Sequence, residues 1–208
     1  MCTMQTPTTP PSSPAPALIL ASTSRYRREL LQRLRLPFAT VAPQTDETAL
    51  PGEAPSALAL RLALAKAQAV ARLHPHAVVI GSDQVADLDG LALGKPGNHE
   101  RAVAQLRLLS GRQAVFQTAV AVVRNDTGFA QVELASVVVG FCKLTAAEIE
   151  QYLQLEQPYD CAGSAKCETL GIALLTHIHS DDPTALVGLP LIRTCRMLRA
   201  AGINPLVT

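Results

Sequence analysis

Six short segments of this 208-residue chain hold side chains able to do chemistry, on an anion, a metal or a base edge. The first is Ser22-Thr23-Ser24-Arg25-Tyr26-Arg27-Arg28, placed where an apolar run gives way to a helical pattern. A helix N-terminus offers unpaired N–H groups and the positive end of the dipole. The hydroxyls of Ser22 and Ser24, with Arg27 and Arg28, would complete a phosphate site there. The same residues also fit an ordinary N-cap with solvated arginines. The dipole disfavours cations at this end, a cost that a bound anion relieves.

The second segment, Asp46-Glu47, lies in a Pro-bounded stretch and reads as a Mg²⁺-binding carboxylate pair or as loop solvation. The third is Lys66, one of only four lysines against 14 arginines. Its helical neighbours are Leu62, Ala63, Ala69 and Val70. Arg61 and Arg72 share a face from which Lys66 is turned by well over 100°, at about 100° per residue. An ammonium on an apolar stripe needs a partner or a ligand, unless its stem snorkels to water.

Gly81-Ser82-Asp83 follows a buried-strand pattern, the place where α/β folds put their chemistry. Asp83 there suits a general base, a metal ligand or a turn-forming residue. Gly94-Lys95-Pro96 sets a point charge in a rigid loop, suited to phosphate or to a plain turn. Gly163-Ser164-Ala165-Lys166-Cys167-Glu168 is a small-residue loop that permits close backbone approach. Glu168 could accept hydrogen bonds from a base edge, or simply face solvent. No Walker A loop, GxGxxG, zinc signature or nucleophile elbow occurs, and the five histidines lack zincin spacing. His177 and His179 read as surface residues.

Strand and helix patterns alternate around these groups. Strands are expected over 17–21, 38–42, 77–81, 113–124, 128–142 and 170–175. Helices are expected over 25–35, 56–73, 98–109 and 189–201, with a further one opened by the capping box Thr145-Ala146-Ala147-Glu148. Asp89-Gly90 and Asn125-Asp126 mark turns. The pattern predicts an α/β domain over 17–208, and the long hairpin makes its sheet mixed.

Composition narrows the function. At 48% hydrophobic and 17% charged, the chain can bury a real core. Eighteen basic and 17 acidic residues leave a formal charge of +1, which argues against nucleic-acid coating and against polybasic membrane binding. No apolar run is long enough to span a bilayer. Five cysteines without a CxxC pair fit free thiols in a reducing cytoplasm. Residues 1–16, with five prolines, are expected to be a disordered leader. They carry neither the basic n-region of a signal peptide nor the arginines of a transit peptide.

Taken together, these pieces resemble the Maf family of nucleoside triphosphate pyrophosphatases. The matching residues run from Leu20-Ala21-Ser22-Thr23-Ser24 with Arg27-Arg28 and Leu30-Leu31, through Asp46-Glu47, Lys66-Ala67 and Ile80-Gly81-Ser82-Asp83. They continue with Gly94-Lys95-Pro96, Ala162-Gly163-Ser164 and Leu186-Val187-Gly188-Leu189-Pro190, in the family's order. The resemblance implies hydrolysis of the α–β phosphoanhydride of a nucleotide, with a divalent cation (Mg²⁺ or Mn²⁺). It also implies an elongated, two-lobed α/β fold with a cleft, and a homodimer. By likeness Asp83 is the proton-accepting aspartate, and Ser22, Arg27, Glu47, Lys66 and Lys95 handle phosphate or metal. This suits the residues: a triphosphate gives the cations a task, and preorganised positive charge stabilises the departing diphosphate.

Gly81-Ser82-Asp83-Gln84 is similar to the branch of the family acting on 7-methyl-GTP, whereas the dTTP/UTP branch usually reads Gly-Ala-Asp-Thr. That branch also has an acidic residue matching Glu168 and an aromatic one at the position of Tyr26. A 7-methylguanine ring is cationic and is attracted to an aromatic face. Glu168 could accept from guanine N1–H and N2–H. The competing expectations are a pyrimidine or other modified nucleotide as substrate, and a nucleotide-binding regulator of cell division.

Overall fold

The structure, a computed structural model, describes residues 16–207. The expected disordered leader lies outside the described residues except for Pro16. The chain begins with β1 (Leu18–Ala21), α1 (Arg25–Gln32), β2 (Ala39–Val41) and α2 (Pro55–Ala71). Next come β3 (Val78–Leu88), β4 (Leu91–Leu93), α3 (His99–Leu109), β5 (Gln113–Arg124) and β6 (Phe129–Phe141). It closes with α4 (Ala146–Glu156), β7 (Leu175–His179) and α5 (Leu191–Ala200).

One mixed sheet runs β2-β1-β3-β5-β6-β7, with β4 paired to β3. β1 is parallel to both β2 and β3, whereas β3, β5, β6 and β7 pair antiparallel. The parallel half is buried on both faces. Leu58, Leu62 and Val70 of α2 cover one side, and Leu30, Leu31, Met197 and Leu198 of α1 and α5 cover the other. A third cluster around Phe116, Leu106 and Leu153 packs α3 and α4 against the antiparallel half. The long strands β3 and β5 contribute to all three clusters, with α1, α2 and α5 covering one end of them and α3 and α4 the other, and the sheet is mixed as expected.

Three expectations need correction. The strand predicted to stop at Gly81 continues to Leu88, so Asp83 sits inside β3 and not at its end. Its partner β1 is the strand that stops, with Ala21 opposite Gly81. Asp83 therefore lies just past the carboxyl end of β1, while β5 pairs with β3 throughout this stretch. The strand predicted at 170–175 is a 3₁₀ turn over Leu170–Leu174, followed by β7. Burial of Gly171 and Leu174, three apart, is the 3₁₀ period and not the strand period. The first helix ends before residue 35, because Arg35 adopts φ 56° and leaves the helical region.

Candidate active site

β3 alternates its side chains between two faces, and the two faces do different work. Asp83 points towards α2 and meets Lys66. Lys66 Nζ lies 2.7 Å from Asp83 Oδ1 and 2.8 Å from Glu47 Oε1. The Lys66 and Asp83 side chains are only 6% and 9% exposed, so each charge is compensated away from bulk water. Gly81 makes this approach possible. A Cβ there would stand 2.3 Å from the Ala63 carbonyl oxygen, so only glycine lets α2 lie so close to β3.

Glu47 comes from the loop between β2 and α2, which is pinned by residues that the sequence did not flag. Arg61 of α2 binds both oxygens of Glu53, at 2.6 and 2.7 Å, and donates to the Thr48 carbonyl at 3.0 Å. Leu50 N–H also donates to Glu53. The Arg61 fork and the Leu50 amide hold the Glu53 carboxyl down at about 2. Asp46 accepts from Thr48 N–H at 2.9 Å, so it shapes the loop while Glu47 faces the cleft.

The other face of β3 carries Ser82 and Gln84. Ser82 Oγ lies 2.9 Å from the Gly188 carbonyl oxygen and 2.8 Å from that of Ala119. Gln84 Nε2 donates to the carbonyls of Ala185 and Leu186 and to Thr118 Oγ1. Thr118, also missed in the sequence, donates to Ala185 as well. Together they hold the 185–188 segment, and its Gly188 carbonyl accepts from Arg27 Nε at 3.0 Å. Arg27 is thereby aimed into the cleft. Burial pulls its pKa below the usual value, against the charges of Asp83 and Glu47. Ser24 caps α1 by accepting from Arg27 N–H, and Ser22 Oγ accepts from Ser24 N–H at 3.1 Å.

The cleft has two chambers of about 380 Å³ each. Ser22, Glu47, Lys66 and Asp83 line one. Tyr26, Asp160, Cys161 and Glu168 line the other. Thr23, Ser24, Arg27, Gln84 and Lys95 border both, so cations stand at the junction. In the second chamber the Arg25 guanidinium lies 4.7 Å from the Tyr26 ring centroid and donates to its hydroxyl at 2.6 Å. Burial pushes the Tyr26 phenol up, so it stays neutral at ordinary pH. Burial likewise pushes the Cys161 thiol to about 12, which leaves no thiolate nucleophile at that position.

Arg28 lines neither chamber; it is exposed, in an adjoining depression that it shares with Ser22, Thr23 and Ser24 of the cleft. His177 and His179 are exposed on β7 with ring centroids 4.9 Å apart, away from the cleft.

A family model described as Maf-like protein matches residues 17–201, from β1 to the end of α5. The chain belongs to the Maf family. It is 69% identical to a 7-methyl-GTP pyrophosphatase of Polaromonas sp. over 97% of this chain and 90% of that protein. It is 67% identical to the one of Albidiferax ferrireducens, covering 91% and 95% of the two chains. With that of Burkholderia thailandensis the figures are 61% identity, 92% and 90%. The Maf match takes in every residue of both chambers.

A divalent cation fits this Maf cleft by its donor chemistry. Among the described residues no three His, Cys, Asp or Glu side chains gather into a ready-made metal cage. Glu47 and Asp83 do converge on one ammonium, and Glu47 is 58% exposed towards the cleft. Two carboxylates, completed by phosphate oxygens and water, are the donor set that Mg²⁺ usually takes. Mn²⁺ accepts the same hard oxygen ligands.

Proposed function

We propose that this chain hydrolyses the α–β phosphoanhydride of 7-methyl-GTP, giving 7-methyl-GMP and diphosphate. The observation that carries this reading is the division of the cleft. A buried Asp83–Lys66 pair joined by the exposed Glu47 lines one chamber, and Tyr26 and Glu168 line the other. Arg27 and Lys95 stand between them. A nucleoside triphosphate has the same division: an aromatic base at one end and a polyanion at the other.

Asp83 accepts a proton from the attacking water as the new P–O bond forms and the bridging P–O bond breaks. Arg27, Lys66 and Lys95 face the charge that develops on the departing diphosphate. Ser22, Ser24 and the α1 N-terminus supply hydroxyls and N–H groups for the remaining phosphate oxygens. Bound by Glu47 and Asp83, a divalent cation would neutralise phosphate charge. In the base chamber Tyr26 offers a π-face to the cationic 7-methylguanine, and Glu168 accepts from its N1–H and N2–H. Gln84 acts on base choice through the 185–188 segment, on whose carbonyls its N–H groups are spent.

The relatives' printed names, the aromatic Tyr26 and the acidic Glu168 favour methylated guanine over pyrimidines. The reading also takes the active form to be a cytoplasmic homodimer, on the family resemblance. Two observations accompany it: the cysteines among the described residues are free, and no described helix is long and apolar enough to cross a membrane. Light scattering checks the dimer.

The deciding experiment is diphosphate release from 7-methyl-GTP, GTP, dTTP, UTP and CTP, with Mg²⁺ or Mn²⁺, by the protein and its Asp83→Asn variant. Turnover highest with 7-methyl-GTP and lost in the variant is expected. Turnover confined to dTTP and UTP overturns the base assignment, and no turnover of any nucleotide overturns the enzymatic reading.

A further inference from the structure

Glu156 ends α4 with a carboxylate where the helix dipole disfavours negative charge. Its side chain is also only 14% exposed. Burial pushes its carboxyl up, but the Leu170 amide, the Thr169 hydroxyl and the Lys166 ammonium outweigh this and leave it lowered. All three partners come from one five-residue stretch. Oε2 accepts from Lys166 Nζ at 3.1 Å and from Thr169 Oγ1 at 2.8 Å, and Oε1 accepts from Leu170 N–H at 3.0 Å.

At the centre of that stretch stands Glu168. Its neighbours on both sides are fixed, while its own carboxylate has only a 3.7 Å contact with the Cys167 thiol and lines the base chamber. One turn earlier on α4, Tyr152 holds the start of the same loop. Its hydroxyl donates to the Ser164 carbonyl at 3.2 Å and accepts from Lys166 N–H at 3.0 Å. From the far side, Gly171 lies so close to Lys166 that a Cβ would be 2.4 Å from the Lys166 carbonyl oxygen. The segment is thus tied at Ser164, Lys166, Thr169 and Leu170, while the Glu168 side chain lines the base chamber.

We propose that Glu156 is a positioning residue for base selectivity: by gripping Lys166, Thr169 and Leu170 it holds the Glu168 carboxylate at the height of the guanine edge. This rests on the reading of Glu168 as the base acceptor. Glu156 touches neither the phosphate chamber nor Asp83, so its effect falls on recognition and not on the hydrolytic step.

The test measures kcat and KM for 7-methyl-GTP and UTP in the Glu156→Gln, Thr169→Val, Glu168→Gln and Glu156→Gln/Glu168→Gln proteins, each with its thermal midpoint. A displaced carboxylate forfeits a charge-assisted hydrogen bond, so the 7-methyl-GTP to UTP ratio of kcat/KM should fall about ten-fold in Glu156→Gln. The fall should be mainly in KM for 7-methyl-GTP. Thr169→Val removes one grip without leaving a charge unpaired and should move the ratio in the same direction by a smaller factor. The double variant should select no worse than Glu168→Gln alone, because both act through one group. A ratio unchanged in Glu156→Gln and Thr169→Val, while Glu168→Gln lowers it, overturns the positioning role and leaves the reading of Glu168 intact. A ratio unchanged in Glu168→Gln overturns the reading of Glu168 itself. Equal losses of kcat on both nucleotides in Glu156→Gln, with a lowered midpoint, would show a purely structural residue and also overturn the proposal.

Discussion

Lys66 Nζ and Asp83 Oδ1 stand 2.7 Å apart between α2 and β3, with both side chains almost fully withdrawn from water. The pair is asymmetric. Lys66 has a second carboxylate in Glu47, whereas Lys66 is the one side chain bonded to Asp83 among the described residues. Lys66→Met, which leaves the buried Asp83 charge without its partner, should therefore destabilise by about 3–5 kcal/mol, and Asp83→Asn by less. Urea unfolding of both variants checks the order. Asp83→Asn should still lower diphosphate release by about 10²–10⁴-fold, the usual contribution of a positioned base.

Glu47 is the exposed member of the cluster, so its loss should act on metal use more than on folding. Glu47→Gln should raise the Mg²⁺ concentration needed for half-maximal activity while leaving the unfolding free energy from urea titration within about 0.5 kcal/mol of the parent. Chelation with EDTA should abolish activity in both proteins, and added Mg²⁺ or Mn²⁺ should restore it. Persistent turnover in EDTA would remove the cation from the proposed chemistry.

One face of Tyr26 is already shared with the Arg25 guanidinium, 4.7 Å from the ring centroid. A cation–π contact with the base contributes about 0.5–2 kcal/mol, so Tyr26→Ala should lower the preference for 7-methyl-GTP over GTP by about 2- to 30-fold. Competition kinetics with the two nucleotides measures that ratio directly.

Gln84→Thr shortens the side chain that ties β3 to the Ala185 and Leu186 carbonyls. Losing two neutral hydrogen bonds should cost about 1–3 kcal/mol of stability. Base preference should shift as well, because the 185–188 segment borders the base chamber and its Gly188 carbonyl aims Arg27. A nucleotide panel and a urea curve on the same preparation separate the two effects.

The Glu53–Arg61 clamp gives an acid dependence of known sign. The Glu53 carboxyl falls to about 2 from an ordinary value of 4.5, so its stabilisation is complete above 4.5 and fades as pH drops through about 2. The stability difference between the parent and Glu53→Gln should be constant from pH 7 to 5 and shrink between pH 4.5 and 2. Urea midpoints across that range check it.

Most of the element order and most of the cleft residues were legible from local signals in the sequence. Apolar runs such as Leu18–Ala21, the capping box at Thr145 and the turn at Asp89-Gly90 are local signals, and each formed as expected. The sequence also marked Lys66 as misplaced on an apolar helix face, because a lone ammonium among Leu62, Ala63 and Val70 conflicts with that stripe. What answers that conflict was not legible. The partner Asp83 lies 17 residues away, and only the close approach of α2 at Gly81 brings the two together. The length of β3 escaped for a similar reason: Ser82, Asp83 and Gln84 look like loop residues until β5 pairs with all three. The clamps on the cleft were invisible too. Glu53 holds the Glu47 loop, Gly188 aims Arg27, and Glu156 grips the stretch around Glu168. Such contacts join separate elements, over 8 to 161 residues of chain, two of the three through backbone groups that residue type does not reveal. Residue type and spacing reveal chemistry that is local, whereas the alignment of charges across separate elements is decided only when the sheet assembles.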